Sequence, residues 1–270
     1  MPEIPSLDYD RDAPPDIREV GQREEAGVVT QLLTYATPFG QRHAAELIRP
    51  VAAGPHAAIL YVHWYEPESP DSNRTQFHGE AVRLAGRGAA CLLVETIWSD
   101  RDWFVKRTQA DDHDASIRQA VELRQALDLL LARPGVDARR LAYVGHDFGG
   151  MYGVLAGAAD RRPAHYVIMA ATPRFHEWYL YYPKLEGEAR ERFIAQMAPL
   201  DPIANVARLA PAPILFQFGR DDPHVPIERA EEFYAAAAEP KEIRWYAAGH
   251  GLSEQATADR EEWLAKRLEL

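Results

Sequence analysis

From Ala57 to the carboxyl end, short apolar runs alternate with amphipathic ones, and this order constrains the chain more than any other feature. The apolar runs suit strands, and the stretches with apolar residues three and four apart suit helices. Such an alternation buries both kinds of element only when helices cover a mostly parallel sheet. Strands are expected at 57–63, 89–95, 141–144, 166–170, 214–218 and 242–246, and helices at 75–86, 112–133, 149–159, 227–238 and 259–268.

Ahead of this region, residues 28–36 and 42–48 have strand-like composition, and Pro38-Phe39-Gly40-Gln41 supplies turn chemistry between them, so an antiparallel hairpin is expected. Residues 1–26 are rich in Pro, Asp, Glu and Arg without apolar periodicity, and they read as an arm over the surface. The remainder, 27–270, reads as one domain, because no linker interrupts it. The stretch from about 173 to 209, too short for a large cap, is expected to form a modest lid.

Hydrophobic residues make up 47% of the chain and charged residues 26%, enough to bury a large core. The net charge of -11 argues against nucleic acid and anionic membrane surfaces as partners. The partner expected is a small-molecule substrate, with a homodimer left open. Cys91, the one cysteine, lies in an apolar run and reads as a buried structural thiol, so no disulfide can form within the chain. No run is long and apolar enough for a membrane span, and the start lacks a basic region followed by an apolar stretch, which gives a cytoplasmic expectation. The histidines lack metal-ligand spacing on a helix, and Asp111-Asp112-His113-Asp114 reads as a polar helix start. Neither a metal nor a cofactor is expected.

Three segments carry chemistry. In the first, the apolar strand Leu141-Ala142-Tyr143-Val144 runs into Gly145-His146-Asp147-Phe148-Gly149-Gly150 and then a helix. Glycines around a central residue let neighbouring backbones approach closely enough to expose that residue on a sharp turn. The bland reading of Asp147 is a cap on the following helix. In the second, Gly219-Arg220-Asp221-Asp222-Pro223-His224-Val225-Pro226 follows a strand, and in the third, Gly249-His250-Gly251 follows the last strand.

In this order the segments resemble the α/β-hydrolase family: nucleophile elbow, acid loop and histidine, each after a strand end. The resemblance covers nearly the whole chain from Val28 onward, and it implies an α/β-hydrolase fold with a mostly parallel central sheet, an N-terminal antiparallel hairpin, helices on both faces and a minimal lid. Asp147 then stands at the nucleophile position. Asp222, three residues before the Val-Pro pair, is the orienting acid with Asp221 as fallback, and His250 is the catalytic imidazole. The absence of a large cap is similar to the dienelactone-hydrolase-like group, whose members carry cysteine or serine at the elbow. An aspartate there is instead similar to epoxide hydrolases and haloalkane dehalogenases.

Aspartate, with a reference pKa of about 3.9, is already ionised at neutral pH and needs no base to attack. Attack on an ester would give an anhydride with little advantage, whereas displacement at an epoxide or halide carbon gives an alkyl ester that water activated by His250 could hydrolyse. The leading expectation is therefore a hydrolase acting on a small hydrophobic epoxide or organohalide. The alternatives are a dienelactone-hydrolase-like ester or lactone hydrolase, in which Asp147 and His250 act on water directly, and a binding protein that has lost turnover. The resemblance places oxyanion donors at the backbone of Trp64 and Phe148, with the Tyr65 hydroxyl as a further donor. The tryptophan after His63 departs from the usual His-Gly pattern, so the register there is open by one residue. Trp98 and Trp103 are expected to wall the pocket. Tyr179, Tyr181 and Tyr182, in the lid, are expected to supply hydroxyls to a leaving group or to pack as an aromatic stripe.

Overall fold

A computed structural model describes residues 4–69 and 73–270. The strands are β1 (Arg18–Glu25), β2 (Val28–Ala36), β3 (Arg42–Pro50), β4 (His56–Val62), β5 (Ala89–Val94), β6 (Val136–His146), β7 (His165–Met169), β8 (Ile214–Gly219) and β9 (Lys241–Tyr246). The helices are α1 (His78–Ala85), α2 (Trp103–Lys106), α3 (Asp112–Leu131), α4 (Phe148–Ala159), α5 (Phe175–Tyr179), α6 (Gly187–Met197), α7 (Pro202–Asn205), α8 (Ile227–Ala236) and α9 (Glu254–Leu268). The strands form one nine-stranded sheet in the order β1-β2-β3-β5-β4-β6-β7-β8-β9. The pairs from β1 to β3 and β3 with β5 are antiparallel. The remaining pairs are parallel.

Every residue of β4 and β5 is buried, which is why both read as continuous apolar runs. Alternation splits β4 between two cores: Ala58, Leu60 and Val62 join the cluster that includes α3 and α4, while Ala57, Ile59 and Tyr61 join that of α1 and α9. The helix α9 starts where Ser253 caps it, its hydroxyl accepting the Ala256 N–H at 3.3 Å.

The sequence reading assigned 18–25 to a surface arm, whereas these residues form β1. The strand is exposed at nearly every position, so backbone pairing with β2 rather than side-chain burial holds it, and hydropathy carries no sign of it. Its charged side chains discourage a further strand from adding to this sheet edge. Ahead of it the chain runs over the body, with Leu7 buried and Arg11 paired to Asp160 at 3.3 Å. The 173–209 stretch holds α5, α6 and α7, all short.

Candidate active site

Asp147 occupies the turn between β6 and α4 with φ 52° and ψ -117°. A positive φ in a residue other than glycine costs about 1–3 kcal/mol and persists only where surrounding structure imposes it. Here the imposition comes from close backbone packing: a Cβ on Gly149 would lie 2.1 Å from the Val62 carbonyl oxygen, and one on Gly145 would lie 2.3 Å from that of Gly149. Gly149→Ala is expected to destabilise the chain by about 3 kcal/mol through this overpacking. An unchanged urea midpoint would show that the elbow tolerates a side chain.

The bland reading of Asp147 fails, since its side chain makes no capping hydrogen bond to α4. The residue is 2% exposed, and its Oδ1 has no hydrogen-bond partner among the described residues. Its Oδ2 faces His250 Nε2 across 4.0 Å, too far for a direct hydrogen bond and close enough for strong charge interaction. On the other side of the ring, His250 Nδ1 donates to Asp222 Oδ2 at 2.8 Å. Asp222 Oδ1 accepts the backbone N–H groups of His224 and Val225 at 2.8 and 3.1 Å, and the neighbouring Asp221 is exposed.

Burial pulls the imidazole towards its neutral form, but the carboxylates of Asp147 and Asp222 outweigh it and push the His250 pKa up to about 9. Burial likewise disfavours ionised Asp222, yet the hydrogen bonds from His250 and from the two N–H groups hold its carboxyl below the usual range. Both acidic neighbours therefore favour the protonated ring.

Around this trio the structure sorts the expected residues. Phe148 opens α4, where the first N–H groups of a helix have no intrahelical acceptor. Trp64 does not fill the role assigned to it, because its backbone N–H already donates to Gln76 Oε1 at 3.2 Å. The Tyr65 hydroxyl is also committed, donating to the Arg101 carbonyl at 2.6 Å. With the Trp64 N–H committed, the register after His63 stays open.

Trp103 meets Phe148 edge-on with ring centroids 5.3 Å apart and is half-buried. Trp98, in contrast, is a core residue: it is wholly buried, and its indole N–H is satisfied by the His63 carbonyl at 3.1 Å. The lid tyrosines also depart from expectation. Tyr179 is fully buried in a hydroxyl network with Tyr152 and Ser116, while Tyr181 and Tyr182 are 67% and 55% exposed. A helix of five residues ends at Tyr179 and releases the next residues to the surface, an orientation that aromatic clustering in sequence does not reveal.

The sequence reading gave no role to several residues at the site. Trp178 lies 5.8 Å from the Phe148 ring and 5.9 Å from that of His250, and the His224 ring lies 5.1 Å from His250. Gln76 and His146 are hydrogen-bonded to each other, and His146 to the His250 carbonyl. Only His146, beside Asp147 in the elbow segment, carried a local signal.

The described residues contain no group of three or more His, Cys, Asp or Glu able to hold a metal ion. No helix among them is long and apolar enough to cross a membrane.

This architecture is the α/β-hydrolase fold, similar to that of the dienelactone hydrolases. The chain belongs to the prolyl oligopeptidase family, whose sequence pattern matches residues 108–269. It is 26% identical over 274 residues to the uncharacterized peptidase YuxL of Bacillus subtilis (strain 168), covering 86% of this chain and 37% of that protein. It thus spans little more than a third of the length of that curated relative. Among solved structures, the acetyl xylan esterase of Paenibacillus sp. R4 superposes with a TM-score of 0.79 at 17% identity, over 97% of this chain and 96% of the other. Acetyl xylan esterase 1 of Thermoanaerobacterium sp. gives 0.76 at 16%, over 97% and 90%. A putative dienelactone hydrolase of Klebsiella pneumoniae gives 0.63 at 18%, over 94% and 98%. At these identities the likeness establishes the fold.

Proposed function

We propose that this hydrolase cleaves the ester or lactone bond of a small acyl substrate, with Asp147 as general base and His250 as general acid. The observation that carries this reading is the His250 ring set between Asp222 at 2.8 Å and Asp147 at 4.0 Å. A carboxylate and a protonated imidazole side by side at neutral pH are a base and an acid already in their working states.

In this scheme Asp147 takes a proton from water as the water oxygen attacks the acyl carbon. The carbonyl oxygen becomes an oxyanion facing the Phe148 N–H. When the tetrahedral intermediate collapses, the C–O bond to the leaving group breaks and the departing oxygen takes the Nε2 proton of His250. Products are a carboxylic acid and an alcohol. Asp147 is left protonated and His250 neutral, and a proton returning between them resets the site. Asp222 holds the ring with Nε2 towards Asp147 throughout. Trp103, Phe148 and Trp178 give the acyl group aromatic surroundings. The esterases and the putative dienelactone hydrolase among similar structures fit the same bond type.

A second reading keeps Asp147 as a nucleophile towards an organohalide. It is favoured by the unpartnered Asp147 Oδ1 and by the indole N–H groups of Trp64 and Trp178, which are buried without acceptors among the described residues and could face a halide. Its epoxide form lacks the activating hydroxyls expected of Tyr179, Tyr181 and Tyr182.

Single turnovers of a short nitrophenyl ester and of a short haloalkane in heavy-oxygen water separate the two. Label is expected in the product acid, with the Asp147 carboxylate unlabelled by peptide mass. Label in Asp147 would replace the base-acid scheme with a covalent one.

A further inference from the structure

Trp64 stands where the fold's usual pattern has a glycine, and its indole packs against two neighbouring imidazoles, whose own centroids are 5.4 Å apart. It stacks on His146 with centroids 4.7 Å apart at 23° and on His250 with centroids 5.2 Å apart at 15°. A hydrogen-bonded tie closes the same three residues from behind. His146 Nε2 lies 2.9 Å from the His250 carbonyl, which can only accept, so Nε2 carries the hydrogen. His146 Nδ1 is then an acceptor, and Gln76 Nε2 donates to it at 2.6 Å. Gln76 Oε1 in turn accepts the Trp64 backbone N–H at 3.2 Å.

We propose that Trp64, Gln76 and His146 form a positioning clamp for His250, fixing its ring by stacking and its backbone by the Gln76–His146 tie. The clamp uses residues from three separate places in the chain: the loop after β4, the segment before α1 and the end of β6. It holds Nδ1 on Asp222 and Nε2 towards Asp147, the one ring orientation in which both proton positions face a carboxylate. An aromatic face against the imidazolium also favours its charged form. Burial, first, and the adjacent His250 charge keep His146 neutral, which preserves the acceptor that Gln76 needs. The other titratable groups facing His250 among the described residues are Asp147, Asp222 and His224. The clamp's effect on turnover rests on His250 being the working acid, but its effect on the ring does not.

The test reads the ring itself, by NMR of nitrogen-labelled histidine in the full-length protein, and so needs no substrate. In Trp64→Gly, the His250 titration midpoint is expected to fall by about half a pH unit, and the Nδ1–H signal to broaden as the ring gains freedom. Trp64→Phe, which retains an aromatic face, is expected to keep the midpoint of the unchanged chain. If Trp64→Gly does not fold, Gln76→Leu carries the test, because it leaves both stacked rings and cuts only the tie. There Nδ1–H exchange with solvent is expected to accelerate about threefold or more. A folded Trp64→Gly with midpoint and signal unchanged, or unchanged exchange in Gln76→Leu, overturns the clamp. These results leave the base-acid scheme untouched, since that scheme is decided by where the heavy oxygen goes.

Discussion

Replacing Asp147 with asparagine is expected to lower kcat on a short nitrophenyl ester by about 1,000-fold or more, with folding stability little changed. The side chains are isosteric, so the elbow keeps its geometry, and only the group that takes the water proton is lost. The proposed scheme loses its acid as well. With one of its two carboxylates gone, burial pulls the His250 pKa down from about 9 towards the neutral form. Steady-state kinetics on the purified variant, with its circular dichroism and urea midpoint as controls, would measure this. Turnover within about tenfold of the unchanged chain would remove Asp147 from the chemistry and leave its strained backbone without a functional account.

The pH dependence separates the two mechanisms by sign. As an acid, His250 works protonated, so activity is expected to persist through neutrality and fall as pH rises through about 9, where the imidazolium loses its proton. In the covalent alternative His250 must be neutral to activate water. Esterifying Asp147 cancels its negative charge and lowers the His250 pKa, so the hydrolytic step would instead quicken with rising pH. Asp222→Asn sharpens the comparison. Losing the 2.8 Å carboxylate partner should move the alkaline limb of kcat/KM below pH 9 and lower the plateau by about 100-fold or more. An activity that climbs through pH 9 in the unchanged chain would reject the acid role of His250.

Both expectations concern groups brought forward by the resemblance of three short segments to the α/β-hydrolase pattern, and there is a physical reason why short segments carry it. Gly145 and Gly149 flank Asp147 because backbone from the same turn and from β4 presses on them. Asp222 caps the N–H groups of its own loop, and His250 follows the last strand, so each position is dictated within a few residues of chain. The order of strands and helices was legible for the same reason: burial on both sheet faces imprints period and length on the central elements. What the amino-acid order determined, therefore, was the architecture and the three groups that meet at its carboxyl edge.

Only tertiary packing decided what surrounds them. Strand β1 forms through the backbone of its neighbour, which leaves no apolar signature. Whether an aromatic side chain faces substrate or core depends on distant partners, and so Trp98 lies in the core, Tyr181 and Tyr182 face outward, and Trp178 lies beside His250. The Trp64 N–H is taken by Gln76, twelve residues away, an acceptor that nothing local to Trp64 could announce. The charge state of His250 likewise arises where Asp147 and Asp222, 75 residues apart in sequence, converge on one buried ring. Local spacing records constraints on the backbone, whereas side-chain direction, hydrogen-bond occupancy and proton affinity depend on groups that meet only after the chain has folded.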